Sequence, residues 1–455
     1  MKHFDYIIVG TGQATGTLLG KLIPTGKSIA VIEGNKVGGS CVNYGCTPTK
    51  TLVASAKAMY QAQRGGEFGF SINGFNLDFA RIYERMNDIR NSGSDGLEKW
   101  MNSTDNVDLF KEWAQFVGPK EIKVGNDTIS GETIFINTGT HAFIPPIKGA
   151  DTVQLLDSAG LLALKTLPEK LVIIGGGYIG LEFAQIFNRF GSEVTILEAM
   201  PNFMSREDRD VADAVKNVLE SEGITIKTDV KVKEVKATGK EKKVIYEQAG
   251  QTHQIAANAI TVATGRRPNT VKLGLENAAI KVNDRGFIET NDVAETSIPG
   301  IFALGDVNGK GAFTHTSVHD TQVVLAHLLG GKRKISDRNT IYSLFIDPPL
   351  GRVGMTEQQA RESGKKVLMA TKDMKRISRA KEMSETKGFI KILVDAESRT
   401  LIGASIFGLN GDEAINFLAL ALQHKLTVEQ IQETVLVHPT VSELLPFILD
   451  GLKEV

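Results

Sequence analysis

The chain has 455 residues, 42% of them hydrophobic, with 46 glycines and only two cysteines; this length predicts two to four domains with ample core. Its 52 basic and 53 acidic residues leave a formal net charge of −1, which gives no electrostatic case for nucleic acid or an anionic membrane surface. No apolar run is long enough to span a bilayer, the first residues lead straight into an apolar strand rather than a signal peptide, and two cysteines make no disulfide framework, so a cytoplasmic protein is expected.

Asp5-Tyr6-Ile7-Ile8-Val9 predicts a buried parallel strand, followed by Gly10-Thr11-Gly12-Gln13-Ala14-Thr15-Gly16 and a helix through Leu18, Leu19 and Leu22. A second strand, Ser28-Ile29-Ala30-Val31-Ile32, ends at Glu33. This is the pattern of a dinucleotide-binding βαβ unit. Gly10 permits the tight turn, Gly12 lets the backbone approach a pyrophosphate at the helix N-terminus, and Glu33 is placed to accept hydrogen bonds from a ribose. Thr15 stands where a Gly or Ala would allow the closest helix–strand packing, and Gly16 is expected to compensate through a small shift.

Both cysteines lie in Gly38-Gly39-Ser40-Cys41-Val42-Asn43-Tyr44-Gly45-Cys46-Thr47-Pro48-Thr49-Lys50, ahead of the apolar run Thr51-Leu52-Val53-Ala54-Ser55-Ala56. That run predicts a buried helix with Cys46 near its positive N-terminal end, where a thiolate is favoured. The pair is spaced for a small disulfide ring and predicts redox chemistry. His3 is the only histidine in the first hundred residues, so a zinc site is not expected and no metal ligands are assigned.

Residues 55–105 predict helices broken at Gly65-Gly66-Glu67-Phe68-Gly69-Phe70, and residues 107–137 predict a small β-meander closed by Thr138-Gly139. A linker begins at Pro145-Pro146. Leu171-Val172-Ile173-Ile174 then leads into Gly175-Gly176-Gly177-Tyr178-Ile179-Gly180 and a helix, and Glu193-Val194-Thr195-Ile196-Leu197 ends at Glu198. Gly10 to Gly175 and Glu33 to Glu198 have the same separation, so two dinucleotide units recur in register. Glu198 suits a free ribose 2′-hydroxyl and repels a 2′-phosphate, which favours NADH over NADPH unless Arg206 or Arg209 folds back. Residues 224–262 predict further meander strands ending at Ala263-Thr264-Gly265. The apolar stretch 300–307 leaves Asp306 at a strand's C-terminal end, where it either meets a ligand or caps a helix. From about residue 342 the pattern becomes α+β, with a helix over 411–425 and, near its end, His438-Pro439 followed by Glu443, a feasible histidine–carboxylate pair.

Taken in order, Gly10–Gly12 with Glu33, Cys41–Cys46, Gly175–Gly180 with Glu198, Ala263-Thr264-Gly265, Gly305-Asp306 and His438-Pro439 with Glu443 resemble the class I pyridine nucleotide–disulfide oxidoreductases, the flavoprotein family of glutathione reductase, dihydrolipoamide dehydrogenase and mercuric reductase. The segments 46–50, 348–357 and 442–446 are most similar to the branch of mercuric-reductase-like and reactive-chlorine-induced reductases. The resemblance implies an α/β protein with two Rossmann-type three-layer ββα domains plus a C-terminal α+β dimerisation domain, as in glutathione reductase. It divides the chain into an FAD-binding domain (1–147), an NAD(P)-binding domain (148–270), a central part returning to the FAD domain (271–341) and an interface domain (342–455). FAD would lie against Gly10, Gly12, Thr15, Glu33, Gly39, Ser40, Lys50, Gly139, Gly305, Asp306, Phe313, Thr314 and His315. NADH or NADPH would lie against Gly175, Gly177, Tyr178, Gly180, Glu198 and Gly265.

By the same resemblance Cys46 faces the flavin and Cys41 attacks the substrate. His438, oriented by Glu443 and supplied by the partner subunit of a homodimer, keeps Cys41 as thiolate. Lys50 pairs with Glu182 near the flavin, Asp306 binds the ribityl chain, and Tyr178 gates the nicotinamide pocket. Beyond Cys41 and Cys46 there is no thiolate for a soft metal, so efficient Hg(II) reduction is not expected. The implied activity is an FAD-dependent NAD(P)H oxidoreductase with a small-molecule disulfide or a metal ion as acceptor. The competing readings are an NADH oxidase or diaphorase whose electrons leave from the flavin, and a non-catalytic redox-sensing flavoprotein.

Overall fold

A computed structural model of the protein describes residues 1–74, 76–239 and 241–455. Alternating apolar runs and glycine turns build two largely parallel sheets, as expected, and the C-terminal quarter adds an antiparallel one. In the first sheet β1 (Lys2–Val9) feeds α1 (Gln13–Leu22), which returns to β2 (Ile29–Ile32) parallel to β1, with Ile7 opposite Ala30. The short α2 (Gly39–Tyr44) follows, and then two long helices, α3 (Cys46–Gln63) and α4 (Phe79–Asn102).

The region expected to be a meander is divided. Val107–Phe110 extends the parallel sheet beside β2, and the antiparallel meander is confined to Ala114–Gly118, Glu121–Val124 and the start of Asp127–Ile136. The cause is the ten-residue strand Asp127–Ile136. One side pairs parallel with β1 along its length; the other takes the hairpin at its start and Ile301–Ala303 at its end. Residues 301–303 therefore return to the first sheet, which delivers Asp306 to its C-terminal edge.

The second sheet has the parallel order Thr225–Lys227, Glu193–Leu197, Lys170–Ile174, Ala259–Val262. The expected meander of residues 224–262 is again narrower than read. Its outer pieces join the parallel sheet, and Lys231–Thr238, Glu241–Gln248 and Gln251–Ala257 alone form the antiparallel layer. The C-terminal module is a six-stranded antiparallel sheet covered by the helix Gly411–Gln423.

α3 sits where these units meet. Leu52 and Ala56 share one buried cluster with Phe79, Tyr83 and Met86 of α4, Phe183 and Phe187 of the helix Tyr178–Phe190, and Leu344, Leu350 and Phe407 of the C-terminal sheet. Each large apolar side chain buried there contributes about 1.5–3 kcal/mol, so the helix that begins at Cys46 is fixed by all three units. Among the described residues no helix is long and apolar enough to cross a membrane.

Candidate active site

Cys41 lies on α2 and Cys46 is the first residue of α3, with Gly45 between the helices. Pro48 is tolerated in the first turn because the N–H it lacks has no intrahelical partner. Asn43 pins α2 by donating to the carbonyls of Val37 (2.8 Å) and Gly39 (3.1 Å). Both thiols are free. The Thr314 hydroxyl reaches across from the helix Thr314–Leu328 and lies 3.3 Å from each sulfur. The two groups separate in acidity. Cys46 is pulled down to about 6, first by the hydrogen bond from Cys41 and then, against the opposing effect of burial, by Thr314 and the Lys50 charge. Cys41 is pushed upward because its proton is held against Cys46, and burial adds to this. In the dithiol the first negative charge therefore rests on Cys46.

The first dinucleotide turn adjoins the cysteine segment, and the second opens the helix that carries Glu182, the partner of Lys50. At Gly10 φ is +93°, and a Cβ would sit 2.5 Å from the Asn137 carbonyl; Gly175, at +107°, would meet the Ala263 carbonyl at 2.6 Å. Neither α1 nor the helix Tyr178–Phe190 has a side-chain cap at Gly12 or Gly177, which leaves first-turn N–H groups open to an anion. Glu33 accepts from Thr11 N (2.9 Å) and Thr11 Oγ1 (2.5 Å), and Glu198 from Gly176 N (2.6 Å) and Met200 N (2.8 Å). Thr11 Oγ1 also accepts from Gly38 N (2.9 Å), and a Cβ on Gly39 would come within 2.8 Å of Gly12 Cα. The first dinucleotide turn and the cysteine segment are thus one continuous surface, with half-buried Gly12 and exposed Ser40 along it.

Thr15 has its own solution to helix–strand packing. Its buried hydroxyl donates to Gly10 O (2.8 Å) and accepts from Asn137 Nδ2 (3.0 Å). Gly16 does not compensate, since a Cβ there would meet open space. In the second unit a Cβ on Gly180 would lie 2.4 Å from Gly175 O, so that position is closed to any side chain.

Lys50, on α3, donates to Glu182 Oε2 at 2.6 Å, and its ammonium lies 4.6 Å from the Phe345 ring centre. The other Glu182 oxygen accepts from Phe345 N (3.0 Å). Half-buried Asp306 accepts from Thr140 Oγ1 (2.8 Å), with Arg266 Nε 3.9 Å away; partial burial raises its pKa above the ordinary value. Gly305 N donates to Asp320 (2.9 Å). The backbone carbonyls of Gly139 and Gly265 accept from Asn269 and Phe143. Phe313 stacks on His315 and on Tyr342, each with ring centres 5.4 Å apart, and His315 Nε2 bonds Ile341 O (2.7 Å). His438 Nδ1 lies 2.8 Å from Glu443 Oε2, but its side chain is 77% exposed and, among the described residues, bonded to neither thiol of its own chain.

Several contributors escaped the sequence reading. Thr314 stood out only as a flavin contact, not as a link between both sulfurs. Asn137 and Thr140 carry no motif: Asn137 follows the strand Asp127–Ile136, and Thr140 opens the strand Thr140–Ala142 paired with Arg266–Pro268. Arg209, considered as a neighbour of Glu198, instead donates to Phe203 O (2.7 Å) and lies 3.8 Å from Asp213.

Two uncapped dinucleotide turns, together with a dithiol whose Cys46 opens a helix, define a nucleotide-dependent disulfide oxidoreductase fold. The family model described as "Pyridine nucleotide-disulphide oxidoreductase" matches residues 4–321, and that of the same family's dimerisation domain matches residues 341–446. The chain belongs to the pyridine nucleotide-disulphide oxidoreductase family. FAD and NAD(P)H are typical of the family, and the dimerisation domain implies a homodimer. The chain is 38% identical to the probable pyridine nucleotide-disulfide oxidoreductase RclA of Escherichia coli, covering 98% of both proteins. It is 32% identical to a mercuric reductase of Staphylococcus aureus (97% of this chain, 81% of the other) and 34% identical to a dihydrolipoyl dehydrogenase of Thermus scotoductus (97% and 96%). The solved structure of the Cu(II) complex of the HOCl-induced flavoprotein disulfide reductase RclA from Escherichia coli matches with a TM-score of 0.91 at 37% identity over 99% of each chain.

Proposed function

We propose that the protein is an FAD-dependent NAD(P)H oxidoreductase that reduces a small-molecule disulfide or a metal ion through Cys41 and Cys46. The observation that carries this reading is the thiol pair itself: both sulfurs lie 3.3 Å from the Thr314 hydroxyl, and the first charge is placed on Cys46 at the N-terminus of α3. The glycine cradles at Gly10 and Gly175, which a Cβ would fill, and the two uncapped helix N-termini fit dinucleotide pyrophosphates. FAD would be held by Gly10, Gly12, Thr15, Glu33, Gly39, Ser40, Lys50, Gly139, Gly305, Asp306, Phe313, Thr314 and His315; NAD(P)H would be held by Gly175, Gly177, Tyr178, Gly180, Glu198 and Gly265. This follows the division into residues 1–147 with 271–341, 148–270 and 342–455. Bound together, the two cofactors supply hydride transfer and then two electrons to the disulfide.

The residues of the chain do the rest. Glu182 orients Lys50, whose charge favours the Cys46 thiolate. Cys41 holds its proton against Cys46, so a base must remove it before Cys41 can attack. His438 of the partner subunit, oriented by Glu443, takes that proton. With a disulfide as acceptor, the Cys41 thiolate forms a mixed disulfide and expels one substrate thiolate, which the imidazolium protonates. Cys46 then attacks Cys41, closing the internal disulfide and releasing the second thiolate, which takes up a proton. Tyr178 stands at the helix N-terminus over the nicotinamide site and turns aside to admit it. NADH is favoured because Glu198 would meet the ribose and Arg209, one of the two arginines able to fold back, is engaged elsewhere, which leaves Arg206 as the other.

The test is steady-state turnover of wild type and Cys41→Ser against oxidised thiols, Cu(II), Hg(II), quinones and oxygen. The reading expects Cys41→Ser to abolish reduction of the preferred acceptor while flavin reduction by NADH persists. Unimpaired turnover would place electron exit at the flavin. A clearly higher kcat/KM with NADPH would refute the argument from Glu198.

A further inference from the structure

Tyr178 does not stand alone. Its hydroxyl donates to Glu207 Oε1, and the same oxygen accepts from Tyr342 Oη at 2.6 Å. The two tyrosine rings are 5.4 Å apart, and Tyr342 is stacked in turn on Phe313, the residue before Thr314. The second oxygen of Glu207 lies 3.4 Å from Arg352 Nη1. Tyr342 and Arg352 are cross-strand partners in the C-terminal sheet. The Glu207 side chain is fully buried, and its charge is met from three sides by two hydroxyls and one guanidinium. Burial and the Glu207 charge both push the Tyr178 hydroxyl towards its protonated, donating form. None of this recurs in the first dinucleotide unit, where Gln13 stands at the position of Tyr178.

We infer that Glu207 is a positioning residue: it latches Tyr178 in the closed orientation, and the C-terminal sheet holds the latch through Tyr342 and Arg352. The inference rests on the reading of Tyr178 as the nicotinamide gate. Opening the gate breaks a charge-assisted hydrogen bond and leaves Glu207 with Tyr342 and Arg352 only. The nicotinamide must draw on its own binding energy to open the latch, so the apparent dissociation constant exceeds that of the open form by the reciprocal of the open fraction.

The experiment is rapid mixing of oxidised holoenzyme with NADH. The concentration dependence of flavin reduction separates the dissociation constant from the limiting rate. Wild type, Tyr178→Phe, Glu207→Gln, the Tyr178→Phe/Glu207→Gln double variant and Tyr178→Ala are compared. Tyr178→Phe keeps the ring and removes only the hydroxyl, and is expected to tighten NADH binding about tenfold, the scale of one hydrogen bond to a charged group. Glu207→Gln should shift it in the same direction, and the double variant should add nothing to Tyr178→Phe. A purely structural Glu207, serving only Arg352, would lower thermal stability and leave the NADH dissociation constant unmoved; that result overturns the latch, as does an additive double variant. If Tyr178→Ala alters NADH binding while Tyr178→Phe does not, the latch falls and the gate stands. If Tyr178→Ala changes neither constant, the gate itself falls, and the latch with it. Tyr178→Phe removes no buried charge, so it decides the matter even if Glu207→Gln does not fold.

Discussion

Cys46 and Cys41 are the same side chain in two electrostatic positions. Cys46 receives the proton-bearing neighbour, the Thr314 hydroxyl and the Lys50 charge, and falls to about 6; Cys41 gives its hydrogen bond away and rises. A thiolate is present above its pKa and lost below it. In the two-electron-reduced enzyme, the long-wavelength absorption of a thiolate against flavin should therefore fade as pH drops through about 6. Removing the positive charge with Lys50→Met should move that midpoint upward, and Thr314→Val should act in the same direction. Spectrophotometric pH titration checks this, and a midpoint unmoved in Lys50→Met would sink the assigned role of Lys50. Cys46→Ser should abolish the band, whereas Cys41→Ser should retain it. Thr15 gives a second case. Thr15→Val keeps the shape but leaves Gly10 O and Asn137 Nδ2 without this partner. A cost of about 1–3 kcal/mol is expected in urea unfolding, with Thr15→Ser recovering most of it.

At the scale of elements, α3 shows what the sequence could and could not disclose. The Ala-rich run after Cys46 predicted a buried helix, and the glycine fingerprints predicted both βαβ units, because those signals are local. The anchoring of α3 is not local. Lys57 lies 3.0 Å from Asp347, which accepts from Arg189 (2.8 Å); Arg189 forms a two-pronged pair with Glu222, and its guanidinium carbon lies 3.8 Å from the centre of the Tyr60 ring. These residues come from four distant segments and share no periodicity. The split of the meander strands escaped for a similar reason, since Asp127–Ile136 pairs on both sides and only one partner is near in sequence. Arg189 is nearly inaccessible to solvent, with a side chain only 3% exposed. Arg189→Met would leave the Glu222 and Asp347 carboxylates short of their buried partner, at a cost of about 3–5 kcal/mol in chemical denaturation. Burial alone would raise the Asp347 pKa, but Arg189 and Lys57 outweigh it and hold the carboxyl below its ordinary value. That stability is present above the unfolded pKa and is lost as pH falls through the lower folded one. The wild type should accordingly lose this contribution only in strong acid. A denaturation midpoint in Arg189→Met equal to wild type at neutral pH would show the network to be dispensable.

At the scale of the molecule, the C-terminal module is a back plate for the second nucleotide unit. Phe345 N holds Glu182, Asp347 N donates to Gln185 (2.7 Å), Arg352 and Tyr342 hold Glu207, and Lys391 meets Asp210. The family's dimerisation domain therefore also fixes Glu182, the partner of Lys50 beside the one thiol pair of its own chain. It leaves His438 outside, paired with Glu443 and exposed beside Val437 (76%) and Val435 (96%), with Phe447 (68%) also on the surface. Exposed apolar side chains around an oriented imidazole suit a surface covered by a second copy, and a two-fold interface makes any such contribution reciprocal. The consequence is complementation between defective subunits. On the proposed mechanism, a Cys41→Ser homodimer lacks the attacking thiol in both sites, and a His438→Gln homodimer lacks the base in both. In a mixed dimer one site receives both lesions and the other receives Cys41 from one subunit and His438 from its partner. Random pairing of equal amounts makes half the dimers mixed, each with one intact site, so co-expression should restore about a quarter of wild-type turnover. Separately purified variants combined without subunit exchange should restore none. If co-expression yields no more than the mean of the two homodimers, then His438 serves its own chain or does not serve Cys41 at all. Cross-linking of the mixed sample and of each homodimer separates those outcomes from a failure to dimerise.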